Sequence, residues 1–203
     1  MRCLMISNPT HKLMDADPKT HELDKDAPRR SMERLVRHSR PLAPKGGNDR
    51  IYTPDDTASM IVNHFRPCGR ILEPCSGGKA FVRALNGECE ECEIDDGTDF
   101  MDWTEPVDWI VTNPPWSKFR HFLRHGMEVA DNVVFLCLIN AWFMRARQRD
   151  MREMGFGLVE ILHVPVPPPP WPQAGFSLGA GWIKRGWTGG VHFAWPNNTN
   201  IHH

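Results

Sequence analysis

An apolar run, Val107-Asp108-Trp109-Ile110-Val111, stops abruptly at Thr112-Asn113-Pro114-Pro115-Trp116. Such a run is too short for a helix and has the length of a buried strand. Two consecutive prolines forbid its continuation, because neither donates to a sheet ladder and each fixes φ. The strand therefore ends at Thr112. Asn113 to Trp116 form a stiff turn with outward carbonyls, placed where an open α/β sheet carries its ligand crevice.

The residue types in that turn suit one kind of substrate. An exocyclic amine conjugated to a ring is a poor nucleophile, because its lone pair is delocalised. Acceptors on its hydrogens, here the Asn113 side-chain oxygen and the Pro114 carbonyl, draw the nitrogen toward tetrahedral geometry and aim the lone pair at an electrophile. Pro115 stiffens the turn. Trp116 offers a flat face for a base, worth about 1–3 kcal/mol by comparison with single-strand stacking platforms.

A second strand and turn lie upstream, in Ile71-Leu72-Glu73-Pro74-Cys75-Ser76-Gly77-Gly78-Lys79-Ala80-Phe81. A short apolar strand ends in an acid, and glycines then let the backbone approach a ligand before a helix begins. Cys89-Glu90-Glu91-Cys92-Glu93-Ile94-Asp95 puts another acid at the next strand end, suited to ribose hydroxyls. Asp99-Phe100 suits an adenine ring and its amine. Tyr52-Thr53-Pro54 stands ahead of the amphipathic segment carrying Ala58, Ile61, Val62 and Phe65.

That order of motifs, from Tyr-Thr-Pro through Glu-Pro-x-x-Gly, an acidic strand end and Asp-Phe to Asn-Pro-Pro-Trp, resembles the S-adenosylmethionine-dependent N6-adenine DNA methyltransferases, particularly the small phage-type enzymes. The resemblance spans about residues 48 to 195. It implies a Rossmann-like class I methyltransferase fold, α/β with a mixed, mostly parallel sheet and a terminal β-hairpin, and S-adenosyl-L-methionine as cofactor. By the same resemblance, Tyr52, Thr53 and Pro54 flank the methionine moiety, above a loop of Glu73, Pro74, Cys75, Ser76, Gly77 and Gly78, with Phe81 following. Glu93 binds the ribose, Ile94 packs on the adenine, and Asp99 with Phe100 reads its edge. Asn113, Pro114, Pro115 and Trp116 are the implied catalytic turn. The chain departs from the family at Lys79, which stands where the loop's second glycine is usual.

Transfer of a methyl group to N6 of adenine in DNA is the activity implied, with the base flipped out of a duplex. The same tetrapeptide also serves enzymes acting on RNA bases or a protein glutamine. The Lys79 departure leaves room for an inactive, nucleic-acid-binding subunit.

The chain of 203 residues has room for one substantial core, and its formal net charge is only −1. That balance conceals segregation. Acid is concentrated between Glu73 and Asp108, whereas bases predominate in the first fifty residues and in Lys118, Arg120, Arg124, Arg145, Arg147, Arg149 and Arg152. A basic surface beside the catalytic strand ends suits a phosphate backbone, with Lys118, Arg145 and Arg147 as candidate contacts and a short or relaxed target expected. Phe119 and Trp171 are candidate walls of the base pocket.

Residues 1–47 lack periodicity and read as a basic, mostly disordered arm with a helix near Met32 to Arg37; residues 48–203 read as the catalytic domain. Strands are expected at 70–73, 88–94, 107–112, 133–139, 158–163 and 191–195, and helices at 55–65, 79–86, 118–130 and 142–154. Too few residues separate Asp95 from Pro106 for a full helix and strand, which predicts a trimmed fold. Val164 to Pro172 reads as a stiff polyproline loop bordering the site, and Gly175 to Gly190 as a glycine- and tryptophan-rich hairpin. Cys89 and Cys92 form a lone C-x-x-C without the further ligands zinc requires, so no metal is expected. With no membrane-length apolar stretch and no secretory signal, the expected location is the cytoplasm of a bacterial or phage-infected cell. Oligomeric state carries no signal in the sequence.

Overall fold

A computed structural model describes residues 51–173 and 177–196. By its internal contacts the chain divides into Met1–Gly47 and Asn48–His203, and all described residues belong to the second unit. The expected arm with its helix near Met32 lies outside the described residues.

Helix α1 spans Asp55–Phe65. Asp55 and Asp56 occupy its first turn, where acids complement the dipole, and Ala58, Ile61 and Val62 share the buried face. Arg66 ends it in a left-handed conformation at φ 49°. Strand β1, Ile71–Glu73, is buried throughout and leads through the glycine loop to the short helix α2, Ala80–Ala84. Strand β2 is only Glu90–Glu91, shorter than the expected 88–94. Two single turns of 3-10 helix, Ile94–Asp96 and Phe100–Asp102, occupy the trimmed region before strand β3, Val107–Thr112. Helix α3, Phe119–Val129, and strand β4, Ala130–Leu138, follow. A 3-10 segment, Ile139–Phe143, precedes helix α4, Arg145–Glu153, so the expected helix over 142–154 begins later. Strands β5, Phe156–Val164, β6, Leu178–Arg185, and β7, His192–Ala194, complete the order.

These strands form one sheet in the order β2-β1-β3-β4-β6-β5-β7. Only β6 runs antiparallel to its neighbours, pairing with both β4 and β5. Successive residues of the central strands face opposite layers. Ile110, Val133, Phe135 and Ile161 pack with α3 and α4, through Phe119, Leu123, Met127 and Met151. Trp109, Val111, Val134, Leu136 and Leu162 pack with α1, through Ala58 and Ile61. Covering both faces explains why β3 and β4 read as continuous apolar runs. Each fully buried Leu, Ile or Phe here contributes about 1.5–3 kcal/mol of burial.

The terminal antiparallel pair exists, and it is built differently from the expected Gly175–Gly190 hairpin. Residues 178–185 are a single strand in the sheet interior, whose partner is β5 across the proline segment. The chain then passes to the far side of β5, where β7 pairs parallel to it. Glycine misled because it is usually a turn signal. In β6 it serves close packing: a Cβ at Gly179 would lie 2.7 Å from Ile139, and one at Gly181 would lie 2.3 Å from the Trp142 ring.

Candidate active site

Strand β1 and strand β3 are adjacent and parallel, with Leu72 opposite Ile110. Their carboxyl ends therefore open side by side. A cavity of about 620 Å³ lies there, within the range of small-molecule sites.

Its floor is the loop after β1. Glu73 is buried at the strand end, where its Oε1 accepts a hydrogen bond from the Cys75 N–H at 2.9 Å and another from the Thr112 hydroxyl. Burial pushes its carboxyl up to about 8, with Glu93 and Glu91 adding repulsion. Glu73 thus ties the glycine loop to the last residue of β3 from beneath, without lining the cavity. Cys75 is also held protonated, chiefly by burial, and packs as a small residue.

Glu93 closes the other side of the loop. One carboxylate oxygen accepts from the Gly77 N–H at 2.6 Å and the other from the Asp95 N–H at 3.3 Å. It lines the cavity beside Ile94 and Asp95. Across from it, the Tyr52 ring lies directly over the glycines: a Cβ at Gly77 would sit 2.9 Å from Tyr52 Cε1, and one at Gly78 would sit 3.2 Å from Tyr52 Cγ. Gly77 takes a positive φ of 37° there, and a side chain at either position would push against the exposed Tyr52 ring.

Lys79 takes up the glycine conformation although it is not glycine. Its φ is 59°, in the left-handed region, and its side chain turns away to place Nζ 2.9 Å from Glu91 Oε1. It does not line the cavity. The departure noted in the sequence leaves the loop path intact.

Asp99 caps the second 3-10 turn, accepting from the Met101 N–H at 2.9 Å. Phe100 is buried with its ring 5.4 Å from that of Phe122. Three apolar side chains are exposed at the cavity mouth, Tyr52 at 59%, Ile94 at 61% and Met101 at 38%. Large apolar groups left uncovered around a polar-rimmed hollow mark a ligand site.

The turn after β3 meets this cavity directly, through Asn113 and Pro115. The Trp116 indole N–H donates to Asn113 Oδ1 at 3.2 Å and to the Leu136 carbonyl at 3.3 Å. That bond fixes the Asn113 amide, and its oxygen keeps a second lone pair for another donor. Trp116 does not line the cavity. Its ring packs edge-on against Trp171, centroids 6.0 Å apart.

Several expected substrate contacts occupy other places. Trp171 is buried at 3% exposure and does not face the substrate, because the proline segment folds it inward, where its Nε1 donates to the Tyr52 carbonyl at 3.2 Å. Phe119 is a core residue, wedged against Phe135 and Trp142, and does not line this cavity. Arg147 lies 4.6 Å over the Phe119 ring and donates to the Ala141 carbonyl, which makes it a packing residue. Arg120 and Arg124 both bind the buried Asp150, whose carboxyl the Arg120 hydrogen bonds hold down at about 2. Lys118 does line the cavity, Arg145 is exposed, Pro114 is buried and Pro54 caps α1.

Ile51, Ala80, Asp95, Met101, His121 and Phe122 line the cavity and were not picked out. Phe122 reads as core because its helical spacing is that of a core face. His121 shares the helix with His125 and belongs to no motif. Only the adjacency of α3 to the β1 loop exposes their second role.

No protein-family model matches the chain, and no curated protein is similar to it in sequence. Solved structures share its fold. A Listeria monocytogenes protein classed with the class I S-adenosylmethionine-dependent methyltransferases matches at TM-score 0.51 and 10% identity, over 85% of this chain and 72% of that one. Thermoplasma acidophilum 1320 matches at TM-score 0.50 and 9% identity, over 64% and 88% respectively. The M protein of the type I restriction enzyme EcoKI matches at TM-score 0.49 and 12% identity; the chain spans only 45% of that protein. The fold is that of the class I methyltransferases.

Proposed function

We propose that this protein transfers a methyl group from S-adenosylmethionine to the N6 amine of adenine in DNA. One observation carries the proposal: the glycine loop with Glu93 and the Asn113–Pro115 turn open into the same cavity. A donor held by the first would face an acceptor held by the second.

The residues present fit the cofactor. Glycines beneath Tyr52 leave a cradle that a Cβ would fill, Glu93 and Asp95 supply acceptors for hydroxyls, and Ile94 with Met101 leave apolar surface for a ring to cover. When bound, its sulfonium supplies an electrophilic methyl. The chain's own contribution is to position and polarise. Asn113 Oδ1, oriented by Trp116, and the Pro114 carbonyl accept the two hydrogens of the adenine amine, so that its lone pair turns toward the donor. Glu73 holds the loop and β3 in register beneath both. Lys118, on the cavity rim, is placed for a phosphate.

The test is incubation with labelled S-adenosylmethionine and, separately, duplex DNA, single-stranded DNA, RNA and bulk protein, followed by mass spectrometry of the modified residue. N6-methyladenine in DNA is expected. Label confined to RNA or to protein glutamine would overturn the substrate, and absence of any cofactor binding would overturn the reaction.

A further inference from the structure

Outside the cavity, large apolar side chains are exposed around strand β7. Phe193 in β7 is 45% exposed, Trp195 just beyond it 66%, and Phe143 and Met144 before α4 are 49% and 56%. The Phe143 and Phe193 rings stack on one another, centroids 6.4 Å apart and 17° from parallel. Two stacked aromatics standing half in water have no evident value to the core.

Beside them stands a positive helix face. Arg145, Arg149 and Arg152 are exposed on α4 at spacings of four and three, which puts them along one side. Asp150 points inward and is already matched by Arg120 and Arg124. Among the described residues, Glu153, 3.7 Å from Arg149, is the acid paired with the stripe.

The sheet register relates this surface to the catalytic turn. Phe193 pairs with Ile161, Ile161 with Gly181, Gly181 with Phe135, and Phe135 with Thr112, the residue before Asn113. Phe193 and Thr112 therefore lie in one row across the sheet. Four strand spacings separate them, or about 19 Å at about 4.8 Å each. That line runs beneath α3 and α4, so a strand joining the two places passes around the helices and needs more than the about six residues that a stacked strand at roughly 3.4 Å per residue takes to span it directly.

We infer that Phe143 and Phe193, with the arginine face of α4, form a stacking platform for unpaired DNA, so that the substrate of the site is a single strand or a locally opened duplex. The inference rests on the function proposed above and narrows its substrate. Ring faces accept a base only when that base is unstacked, which duplex bases are not. Arginines beside aromatics suit a polyanion. They disfavour a second copy of the chain, which would bring like charges together.

The test uses the full chain, a labelled 20-residue single-stranded DNA, its duplex and the matching RNA, with fluorescence anisotropy as the readout. Single-stranded DNA should bind more tightly than duplex. The double variant Phe143→Ala/Phe193→Ala should lose about 10- to 100-fold for the single strand, with duplex affinity and calorimetric S-adenosylmethionine binding unchanged. Arg145→Ala/Arg152→Ala should flatten the salt dependence by about 1.4 in logarithmic slope. Unchanged strand affinity in both variants, tighter binding of RNA than DNA, or a dimer in sedimentation that the phenylalanine variant abolishes would each overturn the inference. Strand binding that responds to the variants without any methyl transfer would count against the proposed reaction alone.

Discussion

Asn113 and Trp116 have different places in the turn after β3. Asn113 lines the cavity, while the Trp116 indole N–H, shared between the Asn113 oxygen and the Leu136 carbonyl, fixes the amide. Asn113→Ala should therefore lower kcat by about 10²–10³ and leave cofactor affinity intact, the loss expected for one preorganised polar group. Trp116→Phe keeps the ring and removes the N–H; a smaller fall in kcat, again at constant cofactor affinity, is expected in the same calorimetric and steady-state measurements. Glu73 gives a pH signature. Its carboxyl is raised by burial from 4.5 to about 8, so the folded state holds an extra proton between those values and stability falls as pH rises through that window. The slope is at most about 1.4 kcal/mol per pH unit. Glu73→Gln retains an acceptor for the Cys75 N–H and the Thr112 hydroxyl, and denaturant melts from pH 5 to 9 should show this slope removed. That Glu73 mattered was legible in its position at a strand end. That it works from beneath the cavity was not, because only the pairing of β1 with β3 brings Thr112 to it.

The loop between β1 and α2 shows how one element tolerates an unexpected residue. Lys79 pays roughly 1 kcal/mol for its left-handed backbone and recovers part of it through a half-exposed pair with Glu91. Glycine would relieve the strain while adding freedom to the unfolded chain. Lys79→Gly should therefore change stability by less than about 1 kcal/mol and leave S-adenosylmethionine affinity within twofold, as read by thermal melts and calorimetry. Gly77, also at positive φ, meets the Tyr52 ring more closely than Gly78 does. Away from this loop α1 and β3 occupy the expected 55–65 and 107–112, whereas α2 at Ala80–Ala84 falls short of the expected 79–86. Strand β6 escaped because two of its inward positions are glycines that receive Ile139 and Trp142, and a strand without side chains at those positions has no alternation to detect.

At the scale of the whole molecule, Trp171 joins parts far apart in sequence. Its indole donates to the carbonyl of Tyr52, whose ring covers the glycine loop, and its ring supports Trp116 in the turn after β3. Trp171→Ala should cost about 3–5 kcal/mol of stability and, unlike Asn113→Ala, should weaken cofactor binding and kcat together, which calorimetry and steady-state kinetics on the same variant would separate. The sequence by itself determined where β3 ends and that glycines follow β1: a double proline cannot continue a strand, and glycines let the backbone come close to a ligand. Those are local constraints on φ, on donors and on side-chain volume. Tertiary structure alone decided which of the candidate groups share a cavity. Burial turned Trp171, Phe119 and Arg147 into supports, Asp150 drew Arg120 and Arg124 away from any ligand, and the packing of α3 over the β1 loop brought in His121 and Phe122. Side-chain direction depends on neighbours from distant parts of the chain, and no local pattern encodes them.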